Sequence, residues 1–210
     1  MQRLVACLFC ACALLTTASS GVRAGTLIPY PNAGTINPES YTFTAAATGD
    51  IIGYLYSANA ADLDSVAMQV NGGATGPFGI VNTDAVGTQF NFGHVNVGDT
   101  ITFILHNATE GFDLSSNPSA NPDGDQHVYS APYTNPGPFA VSGIPSGTFV
   151  AFEDRLAAPH IPASDFDYND DSFVFTNVSQ TTTPLPGALP LFASGLGALG
   201  MLKWRKRRKA

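Results

Sequence analysis

Between residues 25 and 183 no long stretch carries a helical period, and Gly or Pro interrupts the chain throughout. A segment that cannot sustain an amphipathic helix must bury its apolar residues on strands. Short runs rich in aromatic and β-branched residues recur between the turn signals. They predict strands at residues 41–45, 51–57, 65–70, 88–92, 100–106, 127–133, 148–152 and 172–178. Ile101, Phe103 and Leu105 alternate with Thr100, Thr102 and His106, the period of a half-buried strand, and Phe173 and Phe175 alternate with Ser172 and Thr176, with Val174 between them. Eight strands joined by loops predict an all-β fold, an antiparallel β-sandwich of jelly-roll-like winding, over residues 25–178. Residues 179–183, Ser-Gln-Thr-Thr-Thr, are expected to be a polar linker.

Charge is distributed unevenly. The chain has nine Lys and Arg, sixteen Asp and Glu, and a net charge of −7. Arg155 is the only Lys or Arg between residues 25 and 183, and all sixteen acids lie there, giving that segment −15. Such a body repels nucleic acid and anionic lipid, so neither is an expected partner. It also repels itself, a strain that bound cations would relieve. Cys7, Cys10 and Cys12 are the only cysteines. A domain without residues 1–24 therefore has no disulfide, thiolate metal site or cysteine nucleophile.

The two ends look like addresses. Residues 1–24 combine Arg3, an apolar run from Leu4 to Leu15, and a small polar stretch ending Val22-Arg23-Ala24. This is the pattern of a secretory signal peptide, with cleavage expected between Ala24 and Gly25. At the other end, Pro184-Leu185-Pro186 leads into an uncharged stretch to Leu202, long enough for a single transmembrane helix. The basic run from Lys203 to Lys209 follows, and the positive-inside rule keeps it cytoplasmic. Proline motif, short Gly-rich span, basic cluster and end of chain together resemble the PEP-CTERM sorting signal over residues 184–210. The resemblance implies a Gram-negative bacterium and export across its inner membrane. It further implies transient membrane anchoring and cutting by an exosortase near Pro184, Leu185 and Pro186. The final location would be the cell surface or extracellular space, in association with exopolysaccharide and biofilm. Leu185 replaces the usual Glu of that motif.

Two acidic segments carry the candidate chemistry. One is Asn121-Pro122-Asp123-Gly124-Asp125-Gln126-His127. The other begins at Phe152-Glu153-Asp154 and resumes at Asp165-Phe166-Asp167-Tyr168-Asn169-Asp170-Asp171. Calcium takes six to eight oxygen ligands, and acids at alternate positions of a tight loop can converge on one ion. Asp165, Asp167, Asn169 and Asp171 have that spacing. An EF-hand is excluded, because Asp170 stands where its turn glycine belongs and Thr176 where its bidentate Glu belongs. The expectation is a calcium loop of another kind, drawing ligands from Asp123, Asp125, Glu153, Asp154, Asp165, Asp167, Asn169, Asp170 and Asp171. The competing expectation is that these acids are solvated turn residues, with Glu153 and Asp154 paired to Arg155 or capping neighbouring amides. The three motifs, N-x-D-G-x-x-H, F-E-D and D-x-D-Y-N-D in that order, resemble the domain-of-unknown-function 4114 family over residues 117–178. That family implies an exported bacterial domain of open activity.

The leading functional expectation is a non-catalytic surface or matrix protein stabilised by calcium. The runner-up is a carbohydrate-binding module presenting Tyr129, Tyr133, Phe139 and Tyr168. A glycan-cleaving enzyme using an acid pair comes third. His94, His106, His127 and His160 lack metal-ligand spacing, and no nucleophile or phosphate-loop motif is present, so enzymatic activity is not expected.

Overall fold

A computed structural model describes residues 28–184. The expected signal peptide, the apolar span and the basic tail lie outside these residues. Among the described residues no helix is long and apolar enough to cross a membrane. The chain forms eleven strands: β1 (Glu39–Ala45), β2 (Gly49–Ala58), β3 (Asp64–Val70), β4 (Ile80–Val81), β5 (Gln89–Val95), β6 (Thr100–Asn107), β7 (Phe112–Ser115), β8 (Val128–Tyr133), β9 (Gly147–Phe152), β10 (Asp171–Phe175) and β11 (Val178–Pro184). Among the described residues a single 3-10 turn, Pro118–Ala120, is the only helical element.

The strands build two antiparallel sheets. One runs β11-β1-β6-β3-β4, with β7 added to the far half of β6; the other runs β5-β2-β10-β9-β8. The all-β sandwich expected from the sequence is therefore present. Its core lies between the sheets. Phe43, Val66, Phe103 and Leu105 of the first sheet meet Ile51, Leu55, Val150, Phe152, Phe173 and Phe175 of the second. Phe103 and Phe175 stack across the gap with ring centroids 4.0 Å apart. Each such fully buried side chain contributes roughly 1.5–3 kcal/mol.

The second sheet is covered on its outer face as well. Tyr56, Phe149, Ala151 and Val174 point away from the intersheet core and pack under Tyr30, Val141, Ile144 and Tyr168. Burial on both faces explains why β9 and β10 read as unbroken apolar runs, Thr-Phe-Val-Ala-Phe and Phe-Val-Phe, rather than as alternations.

Three strands depart from the expectation. β4 and β7 are short pairs that carry too few residues to show a period. The supposed linker 179–183 is part of β11, which pairs with β1 from Glu39↔Pro184 to Ala45↔Val178. The predicted strand 172–178 is split at Thr176-Asn177, where Asn177 adopts φ 60° and passes the chain from one sheet to the other. Asn tolerates this left-handed conformation better than most residues.

One end of the sandwich gathers the acidic segments. There β2 ends at Ala58, β6 ends at Asn107 and β9 ends at Phe152, while β3 starts at Asp64 and β10 starts at Asp171. The ladders place Asp64 opposite Asn107, and Asp171 between Phe152 and Ala58. Glu153 and Asp154 follow β9 directly, and the Asp165–Asp170 loop leads directly into β10, so both arrive at this pole.

Candidate metal centre

Glu153 leaves the end of β9 fully buried. Its carboxylate faces inward because the opposing loop wraps around it. Ser164 donates its hydroxyl to Oε2, the Phe166 amide donates to Oε2 at 2.9 Å, and the Tyr168 amide donates to Oε1. Phe166 and Tyr168 reach this arrangement at φ 51° and 54°. Left-handed backbone costs an aromatic residue of order 1–3 kcal/mol, and here it aims two alternate amides at one carboxylate. The same alternation sends the aromatic side chains to the outer core of the second sheet. Tyr168 is buried there, donates its hydroxyl to the Gln126 carbonyl at 2.7 Å and accepts from the Asn37 amide at 2.8 Å. Asp165 and Asp167 alternate with the aromatics, each preceding one of them.

Glu153, Asp165 and Asp167 therefore converge. Each offers a carboxylate oxygen within 4.8 Å of the others, with Glu153 buried, Asp167 half-buried and Asp165 exposed. Three oxygen donors of graded exposure can hold a metal ion with its remaining positions open to water. Burial is the main cause that pushes the Glu153 carboxyl up to about 7, and the charges of Asp170 and Asp165 add to it against the pull of its donors. Asp167 is also raised, by burial and then by Asp165 and Asp170. A cation would reverse this balance.

The other predicted ligands divide into two groups. Asp154, Asp170 and Asp171 form an adjoining acidic seam. Asp154 and Asp171 are driven well above the usual carboxylate range, by burial first and by neighbouring carboxylates second. Asp170 is raised by burial as well, and its Oδ2 accepts the Asp154 amide at 3.1 Å. A cleft of about 240 Å³ opens on Asp154, Arg155, Asp165 and Asp170.

The second group serves local geometry. Asn169 donates its side-chain amide to Asp167 and so positions that carboxylate. Asp123 is committed elsewhere: the buried His127 ring sits 3.0 Å away, and the amides of Asp125 and Ala157 donate to it at 3.1 and 3.0 Å. Burial raises the Asp123 carboxyl, but those amides and His127 outweigh it and hold the group below its ordinary value. The Asp123–Asp125 loop is thus a locked turn, and neither residue joins the converging carboxylates.

Sequence alone missed Asp62 and Asp64. Arg155 grips Asp62 with two bonds, Nη2 to Oδ1 at 2.9 Å and Nε to Oδ2 at 3.1 Å, and stands 3.8 Å from Asp154. The single cation of the body therefore pairs chiefly with Asp62, and Glu153 has no part in it. Only the spacing Asp62-Leu63-Asp64 ahead of an apolar run hinted at these two residues.

The aromatic candidates for glycan contact are mostly interior. Tyr133 and Tyr168 are buried, Tyr129 packs against Tyr30 and Phe149, and half-buried Phe139 joins the same outer core.

No family model matches the sequence, and neither a curated protein nor a solved structure matches it. Fold and site together define an acidic two-sheet β-domain with a candidate cation centre at one pole.

Proposed function

We propose that this chain is a non-catalytic exported protein of the cell surface or extracellular matrix, and that calcium stabilises its jelly-roll-like sandwich. The observation that carries the calcium half is the convergence of Glu153, Asp165 and Asp167 on a loop whose backbone is fixed by Glu153 itself. Irregular, all-oxygen, partly hydrated geometry suits calcium better than magnesium, which demands a near-ideal octahedron. The resemblance of residues 117–178 to the domain-of-unknown-function 4114 family agrees with an exported bacterial domain. The export half is supported by the resemblance of residues 184–210 to a PEP-CTERM signal. An exosortase would cut that tail and release the domain to an exopolysaccharide layer.

Calorimetric titration tests the calcium half. Wild-type chain should bind calcium saturably at or below millimolar concentration, and Asp167→Asn should weaken binding by at least about tenfold. Asp50→Asn should leave it unchanged, because Asp50 begins β2 at the opposite pole, where it pairs with His94 and Asn91. Absence of saturable binding would overturn the calcium reading. For the export half, the intact mass of secreted protein from an exosortase-bearing host should correspond to a chain from Gly25 to the proline motif.

A further inference from the structure

At the acidic pole the layer between the two sheets ends in carboxylates. The period of two along each strand places them there. Asp64 shares a face of β3 with Val66 and Met68, and Asp171 shares a face of β10 with Phe173 and Phe175; these four apolar partners all belong to the intersheet core. Asn107, opposite Asp64, lies on the face of β6 that carries Phe103 and Leu105. The last interior layer is therefore Asp64 and Asn107 from one sheet facing Asp171 from the other.

Asp171 is 0% exposed, and neither of its carboxylate oxygens meets an amide, hydroxyl or cationic donor; the group within hydrogen-bond reach is the Asp64 carboxyl, which it can join only by sharing a proton. Asp64 is 1% exposed, and its Oδ1 meets no such donor either, while its Oδ2 accepts from the Asn82 side chain at 3.2 Å. Nearby donors are already engaged. Arg155 is held by Asp62, and the Asn107 amide donates to Asp62 at 3.1 Å and to the Asp154 carbonyl at 2.9 Å. The next groups around Asp171 are further acids, Asp154 and Asp170. A buried carboxylate without a donor must take up a proton or a cation. One shared proton would satisfy a single pair, and two pairs adjoin here. A divalent ion offsets two charges at once and accepts oxygen ligands from any direction.

We propose that a hard divalent cation binds in this terminal layer, bridging the adjacent carboxyls of Asp64 of one sheet and Asp171 of the other, beside the Asp154–Asp170 pair. The ion would join the two sheets where the apolar core stops. A cleft lined by Asp154 and Asp170 adjoins this layer. This site extends the calcium reading to a second ion, and it stands on residues other than Glu153, Asp165 and Asp167.

Equilibrium dialysis of the full-length chain against radioactive calcium, near neutral pH and at constant ionic strength, tests it. Wild type should bind two ions per chain. Asp64→Asn and Asp171→Asn should each bind one, and Asp167→Asn should also bind one. Both of the first pair are near-isosteric and remove a buried charge, and far-UV circular dichroism checks that each is folded. The wild-type count requires no variant. A single wild-type ion lost in Asp171→Asn but kept in Asp167→Asn would support the bridging site and sink the outer centre. A count that Asp64→Asn and Asp171→Asn both leave unchanged would overturn the bridging site, while its loss in Asp167→Asn would preserve the outer one. No bound calcium at all would overturn both.

Discussion

Glu153→Ala should destabilise the domain by about 3–5 kcal/mol, the range left by several buried donors without an acceptor. Glu153 accepts from the Tyr168 amide and, together with the Ser164 hydroxyl, from the Phe166 amide. Without it, two left-handed aromatic residues lose the interaction that fixes them. Tyr168, which helps seal the outer core against Tyr30 with ring centroids 4.6 Å apart, loses its backbone anchor and keeps only its hydroxyl bonds to Gln126 and Asn37. Removing a charge from an acidic pole works in the other direction, but donors left unpaired in the interior outweigh that relief. Glu153→Gln retains the shape and one acceptor oxygen, so its cost should be about 1 kcal/mol, near that of one net hydrogen bond. Urea denaturation compares the three chains. An alanine variant with the wild-type midpoint would show that the loop is held by its aromatic packing alone. In calcium the alanine penalty should grow, since the variant also forfeits the ion.

In chelator, the domain should be most stable in mild acid and lose stability as the pH rises. Glu153, Asp154 and Asp171 have folded-state values above those of the unfolded chain, chiefly through burial. Between the unfolded carboxylate value of about 4 and the folded values, the native state holds more protons than the unfolded state, so unfolding gains with every increment of pH. For Glu153 the window closes at about 7; Asp154 and Asp171 extend it upward. Below about pH 4 the slope changes sign. Asp62, with burial outweighed by Arg155 and Asn107, and Asp123 have depressed values, and their contribution is lost as they protonate. Calcium binds the ionised carboxylates, so it should flatten or reverse the decline on the alkaline side. Denaturant midpoints across pH, with and without calcium, give the two curves. A chelator curve that rises from acid to neutral pH would mean that the buried acids are ionised and paired in the metal-free fold.

Particular residues show why part of this was legible in the sequence. Ile101, Phe103 and Leu105 show the period of two because their face of β6 lies on the core, although buried Ile104 interrupts the polar face, and the expected strand 100–106 falls within a residue of the end of β6. β11 was read as a linker because its Ser-Gln-Thr-Thr-Thr stretch has no apolar alternation. It is an edge strand, held to β1 by its ladder. The meeting of Glu153 with Asp165 and Asp167 could be anticipated, because the spacing of two survives in the folded loop. Its means could not: the left-handed turns at Phe166 and Tyr168 arise from tertiary hydrogen bonds to Glu153. Asp64 and Asp171 lie far apart in the chain, and only the ladders of two different sheets bring them to the same layer. Asp123 had the right residue type and spacing for a ligand, but buried His127 engages it first.

The most direct test of the cation-stabilised pole is thermal melting of the chain at about pH 8, where the Asp and Glu side chains of the unfolded chain are ionised. Calcium is compared with chelator at matched ionic strength, so that screening is common to both. One ion at a hundredfold excess over its dissociation constant adds about 2.7 kcal/mol to the folded state. The melting temperature should rise by roughly 2–8 °C per bound ion. Identical melting temperatures in calcium and chelator would contradict the account and leave the acidic pole as a cluster of protonated and solvated carboxyls.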